Sequence, residues 1–386
     1  MTSSAHGANG DAVLRADPLA ASLSNPPAVS LSNPPAVSLS NPPAVSLSNP
    51  LEVADWDARL EACPARSFFH GAAWARVLRD TYHFVPAYLA LGDPVRPTAV
   101  LPIMEVDSWL TGRRGVSLPF TDACEPLCPG ADSFRRLFRE ALECARARRW
   151  KYLECRGGKA WFGEAPPSTS FYGHQLDLSG GEAVLWSRVD GAVRRAVRKA
   201  EQSGVTVAFS QDLDAVRAFY GLLCRTRRRH GMPAQPFRFF ENIHRHVLAQ
   251  NQGWIVLARH GGRAVAGAVF FHGGKTAIFK FGASNAILQH LRANNLVMWE
   301  AIRCLSQRGY AVLDFGRTSL ENDGLRRFKL SWGSEEHRID YFRYSPRSAG
   351  FVTARDKSSG WHNRVFRLLP VPLSRLIGMA FYRHVA

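Results

Sequence analysis

The stretch DFGRTSLENDGLRRFKLSWG, residues 314–333, concentrates side chains able to do chemistry. It opens on Asp314-Phe315-Gly316, the triplet that holds magnesium in protein kinases, and ends on Phe328-Lys329 and Trp332-Gly333. A kinase also needs a glycine-rich loop, a strand lysine and a His-Arg-Asp catalytic loop, all ahead of the triplet. Lys280 in TAIFK could imitate the strand lysine, but no G-x-G-x-x-G precedes it, and His337-Arg338-Ile339-Asp340 falls after the triplet. No G-x-x-x-x-G-K-[ST] occurs either. The pattern argues against phosphoryl transfer, and the triplet reads as a strand end turning at Gly316. Arg317, directly after that turn, could hold a phosphate or carboxylate through paired N–H groups, or could form an ion pair with Asp314 or Glu321. Arg195, Arg198 and Lys199 lie on one side of an amphipathic helix, where they either meet an anionic substrate or form a solvated face.

Positioning these groups calls for mixed α/β structure. SRVDGAVRRAVRKAEQSGVTVAF places Val189, Val193, Val197 and Ala200 on one helical face, with Gly204 as C-cap. DLDAVRAFYGLLCRTRRRHG predicts a second helix with Leu213, Val216, Tyr220 and Leu223 as its apolar stripe. WIVLARHGGRAVAGAVFFHGGKTAIFKFGAS reads as a three-stranded meander with two His-Gly-Gly turns. A helix opening at Asn294-Asn295, a strand YAVLDFG, a short helix GLRRFKLSW and a strand HRIDYFRYS follow. The first half carries a helix with Trp74, Val77 and Leu78 on one face, strands in PAYLAL and PTAVLPIMEV joined near Gly92-Asp93-Pro94, and a basic helix leading to a strand at 152–155.

The chain has 386 residues, 46% of them hydrophobic, which suits two or three domains with their own cores. A net charge of +17 implies attraction to something anionic or a basic solvated surface. The seven cysteines are irregularly spaced, and Cys124-x-x-x-Cys128 has no second pair at zinc-ribbon spacing, so reduced thiols and no metal are expected. The start MTSSAHGANGDAVLRADPLA has no continuous apolar core, and no apolar run is long enough to span a membrane, which points to a cytoplasmic protein with at most peripheral contact with the inner membrane. Residues 22–50 repeat the octapeptide PPAVSLSN, whose Pro-Pro pairs predict a disordered tether. The tail NRVFRLLPVPLSRLIGMAFYRHV alternates basic and apolar residues and either lies on an anionic membrane or packs back on the protein.

Taken together, these residues resemble the FemAB family, the aminoacyltransferases that build peptidoglycan cross-bridges and whose second half is similar to a GNAT acyltransferase domain. The resemblance rests on Arg195, Arg198, Lys199, Ala200 and Gly204, on Phe281-Gly282-Ala283-Ser284, on Trp299-Glu300, and on Asp314-Phe315-Gly316 with Gly324, Phe328, Lys329 and Trp332. FFHGAAWARVL and VLPIMEVDSWLTGRRGVSLPF resemble the family's degenerate first domain. The branch it most resembles is linked to exosortase and exopolysaccharide systems. The resemblance implies two GNAT-like mixed α/β domains in tandem, at 51–175 and 176–345, between a disordered repeat at 1–50 and a basic-apolar tail at 346–386.

It further implies transfer of an acyl or aminoacyl group to an amine of an envelope or exopolysaccharide precursor. Lys329 would lie beside the transferred carbonyl, with Asp314 as a second candidate catalytic residue. Arg317, Phe328, Trp332, Gly282, Ser284, Asn295, Arg195, Arg198 and Lys199 are candidates for binding substrate. The donor is left open between aminoacyl-tRNA and acyl-CoA, neither tightly bound. No long insertion matches the family's tRNA-holding arm, Trp332 stands where the bridge enzymes usually have Phe, and QHLRAN replaces the pyrophosphate-cradling glycines of GNAT enzymes with Arg292 and Asn294. The competing reading is a non-catalytic module that binds nucleic acid, without DNA sequence specificity, or anionic lipid through its basic face.

Overall fold

A 13-stranded mixed sheet dominates the molecule. It appears in a computed structural model that describes residues 44–353, apart from 62, 64, 94 and 95, and residues 370–384. Strands of the first half, Met104–Val106, Arg114–Val116 and Leu153–Arg156, lead into the long strand Glu335–Ser345. That strand pairs Tyr341–Tyr344 with Leu153–Arg156 on one edge and Glu335–Tyr341 with Thr169–Asp177 on the other. The sheet then continues through Val312–Asp314, Thr276–Ser284, Arg263–Gly273, Gly253–His260 and Thr206–Ser210. One strand near the end of the described chain therefore sits between two strands from its first half. The expected meander is present as three consecutive antiparallel strands, 253–260, 263–273 and 276–284.

Helices cover both faces. Helices Gly191–Gln202 and Ala293–Gln307 press Val193, Val197, Ala200, Leu296 and Ile302 onto one face. Helices Ala72–Tyr82, Leu213–Arg229 and Phe237–His246 cover the other. Trp74 sits at the centre of this second cluster, fully buried, with its ring against Phe68, Phe69, Phe239 and Phe271.

Three local features depart from the sequence expectation. The helix expected through Val189 is broken there: Val189 is extended, and Asp190 caps a new helix by accepting from the Ala192 N–H at 2.6 Å. Helix Phe237–His246 was not anticipated, although Pro236 ahead of Phe239, Phe240 and Ile243 is a helix-start pattern. The last octapeptide copy departs from a tether: Val45–Ser48, free of proline and alternating apolar with polar residues, pairs with Tyr88–Leu91. The earlier copies, residues 94 and 95 of the expected turn, and tail residues 354–369 lie outside the described residues. Helix Val371–Phe381 of the tail contacts the protein, one of the two alternatives expected for it, with Arg375 over the Tyr220 ring and the Tyr382 hydroxyl donating to the Pro233 carbonyl.

Because the Trp74 ring joins helices of both halves, Trp74→Ala is expected to lower stability by about 3–5 kcal/mol. A urea melt checks this; a change under about 1 kcal/mol would show that the aromatic cluster closes without it.

Candidate active site

The two parallel strands 276–284 and 312–314 pair only at Thr276–Ile278 with Val312–Asp314. Strand 312–314 ends there, while strand 276–284 runs on to Ser284, still paired with strand 263–273 on its other edge. From Phe279 onward one edge therefore has no strand partner among the described residues. Such an edge offers backbone groups to an extended ligand. At its far end Thr226 Oγ1 closes it, accepting from Ser284 N–H at 3.1 Å and donating to Ser284 O at 3.2 Å.

The chain leaves strand 312–314 through Gly316, whose φ is 70°. A Cβ at Gly316 would lie 2.8 Å from Asp122 Oδ2, so both the left-handed backbone and the close approach of Asp122 require glycine. Asp314 Oδ1 accepts from the Gly316 N–H at 2.7 Å and fixes the turn. Lys329, on helix Asp323–Leu330, reaches under it and donates to the Gly316 carbonyl at 2.7 Å and the Arg317 carbonyl at 3.0 Å. An ammonium has three N–H groups, so one remains for another acceptor. The residue is 2% exposed, so this is no surface lysine.

Four more charged groups surround the turn. Lys280 forms a 3.0 Å ion pair with Asp122, and Arg317 Nε lies 3.8 Å from the same carboxylate. Arg317 also stacks over Phe171 at 4.3 Å and donates to the Tyr341 hydroxyl at 3.0 Å; its side chain keeps 38% of its surface. On the other side, buried His174 contacts Glu336 at 3.1 Å, and Arg326 grips Glu336 with two bonds of 2.7 and 2.8 Å. His174 Nδ1 is buried without a hydrogen-bond partner.

Burial and neighbours set the charges. Burial would raise the Asp122 pKa, but Lys280 and then Arg317 outweigh it and hold the carboxylate below its usual range. Burial raises Asp314, opposed by the Gly316 N–H. Burial lowers Lys329 to about 8, opposed by Asp122 and Asp314. Burial, then the Lys329 charge, lowers His174 to about 4, so this imidazole is neutral near pH 7.

Asp122 reaches the turn from the segment 117–122, where Leu118 and Phe120 hold left-handed φ values of 56° and 60°. Bulky residues rarely adopt that conformation, and it persists only when surroundings impose it. Here they do. Trp74 Nε1 donates to Pro119 O at 3.2 Å, Thr121 Oγ1 to Leu118 O at 2.7 Å, and the Tyr341 hydroxyl to Asp122 O at 2.7 Å.

Of the residues expected from sequence, Lys329, Asp314 and Arg317 meet at one turn. Gly282 and Ser284 lie on the unpartnered stretch of strand 276–284. Asn295 is in the first turn of helix Ala293–Gln307, preceded by Arg292 at φ 57°, a conformation glycine ordinarily supplies. Trp332 is fully buried against Phe328, rings 6.1 Å apart, and its indole N–H has no partner. Arg195, Arg198 and Lys199 are exposed on helix Gly191–Gln202; Arg198 stands over Trp186 at 6.0 Å, and none of the three bonds to the turn. Sequence reasoning missed Asp122, His174, Glu336 and Tyr341 and set Lys280 aside. A lysine in the apolar strand TAIFKFGAS was the available signal, since such a charge needs a buried partner.

Residues 187–337 match the family model described as acetyltransferase (GNAT) domain. No curated protein matches in sequence. Among solved structures, FemX is similar at TM-score 0.62 and 14% identity, over 77% of this chain and 96% of that one. The C-terminal domain of a putative lysylphosphatidylglycerol synthetase from Agrobacterium fabrum is similar at TM-score 0.50 and 14% identity, over 74% and 90%. L-PGS from Bacillus licheniformis is similar at 0.50 and 13%, over 85% and 96%. At such identities the likeness is one of fold.

Asp122→Ala leaves Lys280 buried without its carboxylate and is expected to destabilise by about 3 kcal/mol. Adding Lys280→Met should recover at least half of that loss; additive losses in chemical denaturation would refute the pairing. The chain thus carries a GNAT acetyltransferase-like domain at 187–337 within a mixed α/β fold like that of FemX, in keeping with the FemAB-like resemblance.

Proposed function

We propose that this protein transfers an acyl or aminoacyl group from an activated carrier to an amine of a cell-envelope or exopolysaccharide precursor. The observation that carries the proposal is the Lys329 ammonium, held by two carbonyls where the parallel strands part and one N–H remains for an incoming acceptor. The GNAT domain match supports the reaction class, and the FemAB-like resemblance supports the acceptor class. The carrier is an acyl-CoA or an aminoacyl-tRNA.

In the reaction, the neutral amine attacks the acyl carbon and a C–N bond forms. The C–S or C–O bond to the carrier then breaks, and the thiol or hydroxyl leaves with the proton lost by the amine. Lys329 stabilises the oxyanion formed between these steps. A carbonyl reaches Lys329 only after the turn at 316–317 shifts, because the ammonium is otherwise closed over. Arg317, exposed and beside Asp122, binds the carrier's phosphate or the acceptor's carboxylate. Asp314 orients the turn through Gly316, and proton transfer within the reacting pair needs no protein base.

Lys329→Ala should lower transfer by about 100-fold or more while the protein stays folded by circular dichroism. Acetyl-CoA with thiol detection and radiolabelled aminoacyl-tRNA serve as the two donors. Full activity of the variant on either donor would remove Lys329 from the chemistry and leave it a tie for the turn.

The titration of Lys329 gives an independent check. Its folded pKa of about 8 lies below the ordinary 10.5, so the unfolded chain binds the extra proton between these values. Activity that needs the ammonium should fall as pH rises through about 8, while this group's contribution to stability rises from about 8 to 10.5. A transfer rate that stays level to pH 9.5, measured with the amine kept neutral by its own low pKa, would contradict the assignment.

A further inference from the structure

Helix Val371–Phe381 is turned inside out. Its Ser374 and Gly378 face the protein, while Leu373, Leu376 and Met379 face solvent, 44%, 59% and 56% exposed. The orientation is locked. A Cβ at Gly378 would meet the Ala234 carbonyl oxygen at 1.9 Å, and Tyr382 and Arg375 anchor either side of that contact. The apolar side therefore cannot rotate inward. An amphipathic helix ordinarily buries this side, and none of the described residues covers it.

A second apolar group stands beside it. The loop at 107–113 is bolted to His384, just beyond the end of the helix. Ser108 Oγ lies 2.9 Å from His384 Nδ1, Thr111 Oγ1 donates to His384 O at 2.9 Å, and Arg114 Nη2 donates to the same oxygen at 2.8 Å. The loop tip holds Trp109, 84% exposed with only its edge against the His384 ring at 5.4 Å, and exposed Leu110. Cations rim the patch: Arg375 and Arg383 on the helix side, and Lys151, whose ammonium donates to Thr111 O at 2.8 Å, at the loop's base. Arg113 is also exposed, but Asp107 pairs with it at 2.8 Å.

We propose that the outer face of helix 371–381 and the Trp109-Leu110 tip form one docking surface for an anionic lipid bilayer. The helix has 11 residues, about half the length needed to span the hydrocarbon core, so it lies in the interfacial plane with its apolar side down. Tryptophan favours that plane, and arginine and lysine beside it attract acidic headgroups, in keeping with the net charge of +17. A second copy of the chain is the weaker occupant. Five apolar side chains fall well short of the roughly 20–30 residues a side of a stable protein interface. The docking surface stands apart from the transferase reading, since vesicle binding needs no turnover.

Sedimentation with phosphatidylglycerol–phosphatidylcholine vesicles and with pure phosphatidylcholine vesicles tests it on the full chain. The protein should bind the anionic vesicles, release with added salt, and lose about tenfold or more in affinity in the variant Trp109→Ser/Leu376→Ser/Met379→Ser. These positions are exposed, so circular dichroism and the melting temperature should be unchanged. If the triple variant misfolds, Trp109→Phe read against brominated lipids replaces it, because quenching by the bilayer should shrink when Trp109 is absent. Equal vesicle binding by wild type and a folded triple variant would overturn the proposal, as would no binding to anionic vesicles. So would dimerisation in the ultracentrifuge that the same substitutions abolish, or quenching unaffected by Trp109→Phe.

Discussion

Three cations, Lys280, Arg317 and Lys329, converge on the half-buried carboxylates of Asp122 and Asp314, and the site depends on that imbalance. Fully ionised, the group carries a surplus of one positive charge, with Lys280 and Lys329 largely out of water's reach and Arg317 partly in it. Burial raises Asp314, and any protonation there increases the surplus. A site so biased favours a species that gains negative charge, which is what a carbonyl oxygen becomes during attack by an amine. Asp122 keeps the arrangement tolerable. It holds Lys280 in direct contact and lies within 3.8 Å of Arg317, so neither cation is stranded.

Geometry follows from the same contact. Asp122 can approach the turn only because residue 316 lacks a Cβ, and the turn can hold Lys329 only because its carbonyls point inward. The sheet then decides where the cluster sits. Strand 312–314 stops as its neighbour continues, so the cluster stands at the mouth of a wedge and not inside a closed ladder. Strand 335–345 brings Tyr341 to the same place, where its hydroxyl accepts from Arg317 and donates to the Asp122 carbonyl. Residues from both halves of the chain meet there because this second-half strand pairs with two strands of the first half.

What the sequence made legible was local. Gly316, Arg317 and Lys329 lie within one turn and one short helix, and the helical and strand periods around them are strong, so their meeting could be anticipated. Asp122 and Lys280 are 158 residues apart, and nothing in either segment names the other. The left-handed Leu118 and Phe120 were hidden for a different reason: residue type predicts ordinary φ there, and only packing imposes the exception. The break at Val189 was missed because its apolar spacing fits the helix that Asp190 begins. Trp332 was misleading in another way. Its place in the family-like pattern suggested substrate contact, whereas the fold buries it with an unpaired indole N–H in the core beneath helix 323–330.

The segment 117–122 joins these observations. At its end Asp122 faces the lysines, and two residues before it Phe120 packs against Tyr382 at 5.9 Å, beside the C-terminal helix. The segment's backbone is strained at Leu118 and Phe120 and tied by Trp74, Thr121 and Tyr341. A segment so fixed moves as a unit or not at all, because each strained residue relies on the same anchors. One short segment thus holds both the carboxylate at the turn and Phe120 against Tyr382.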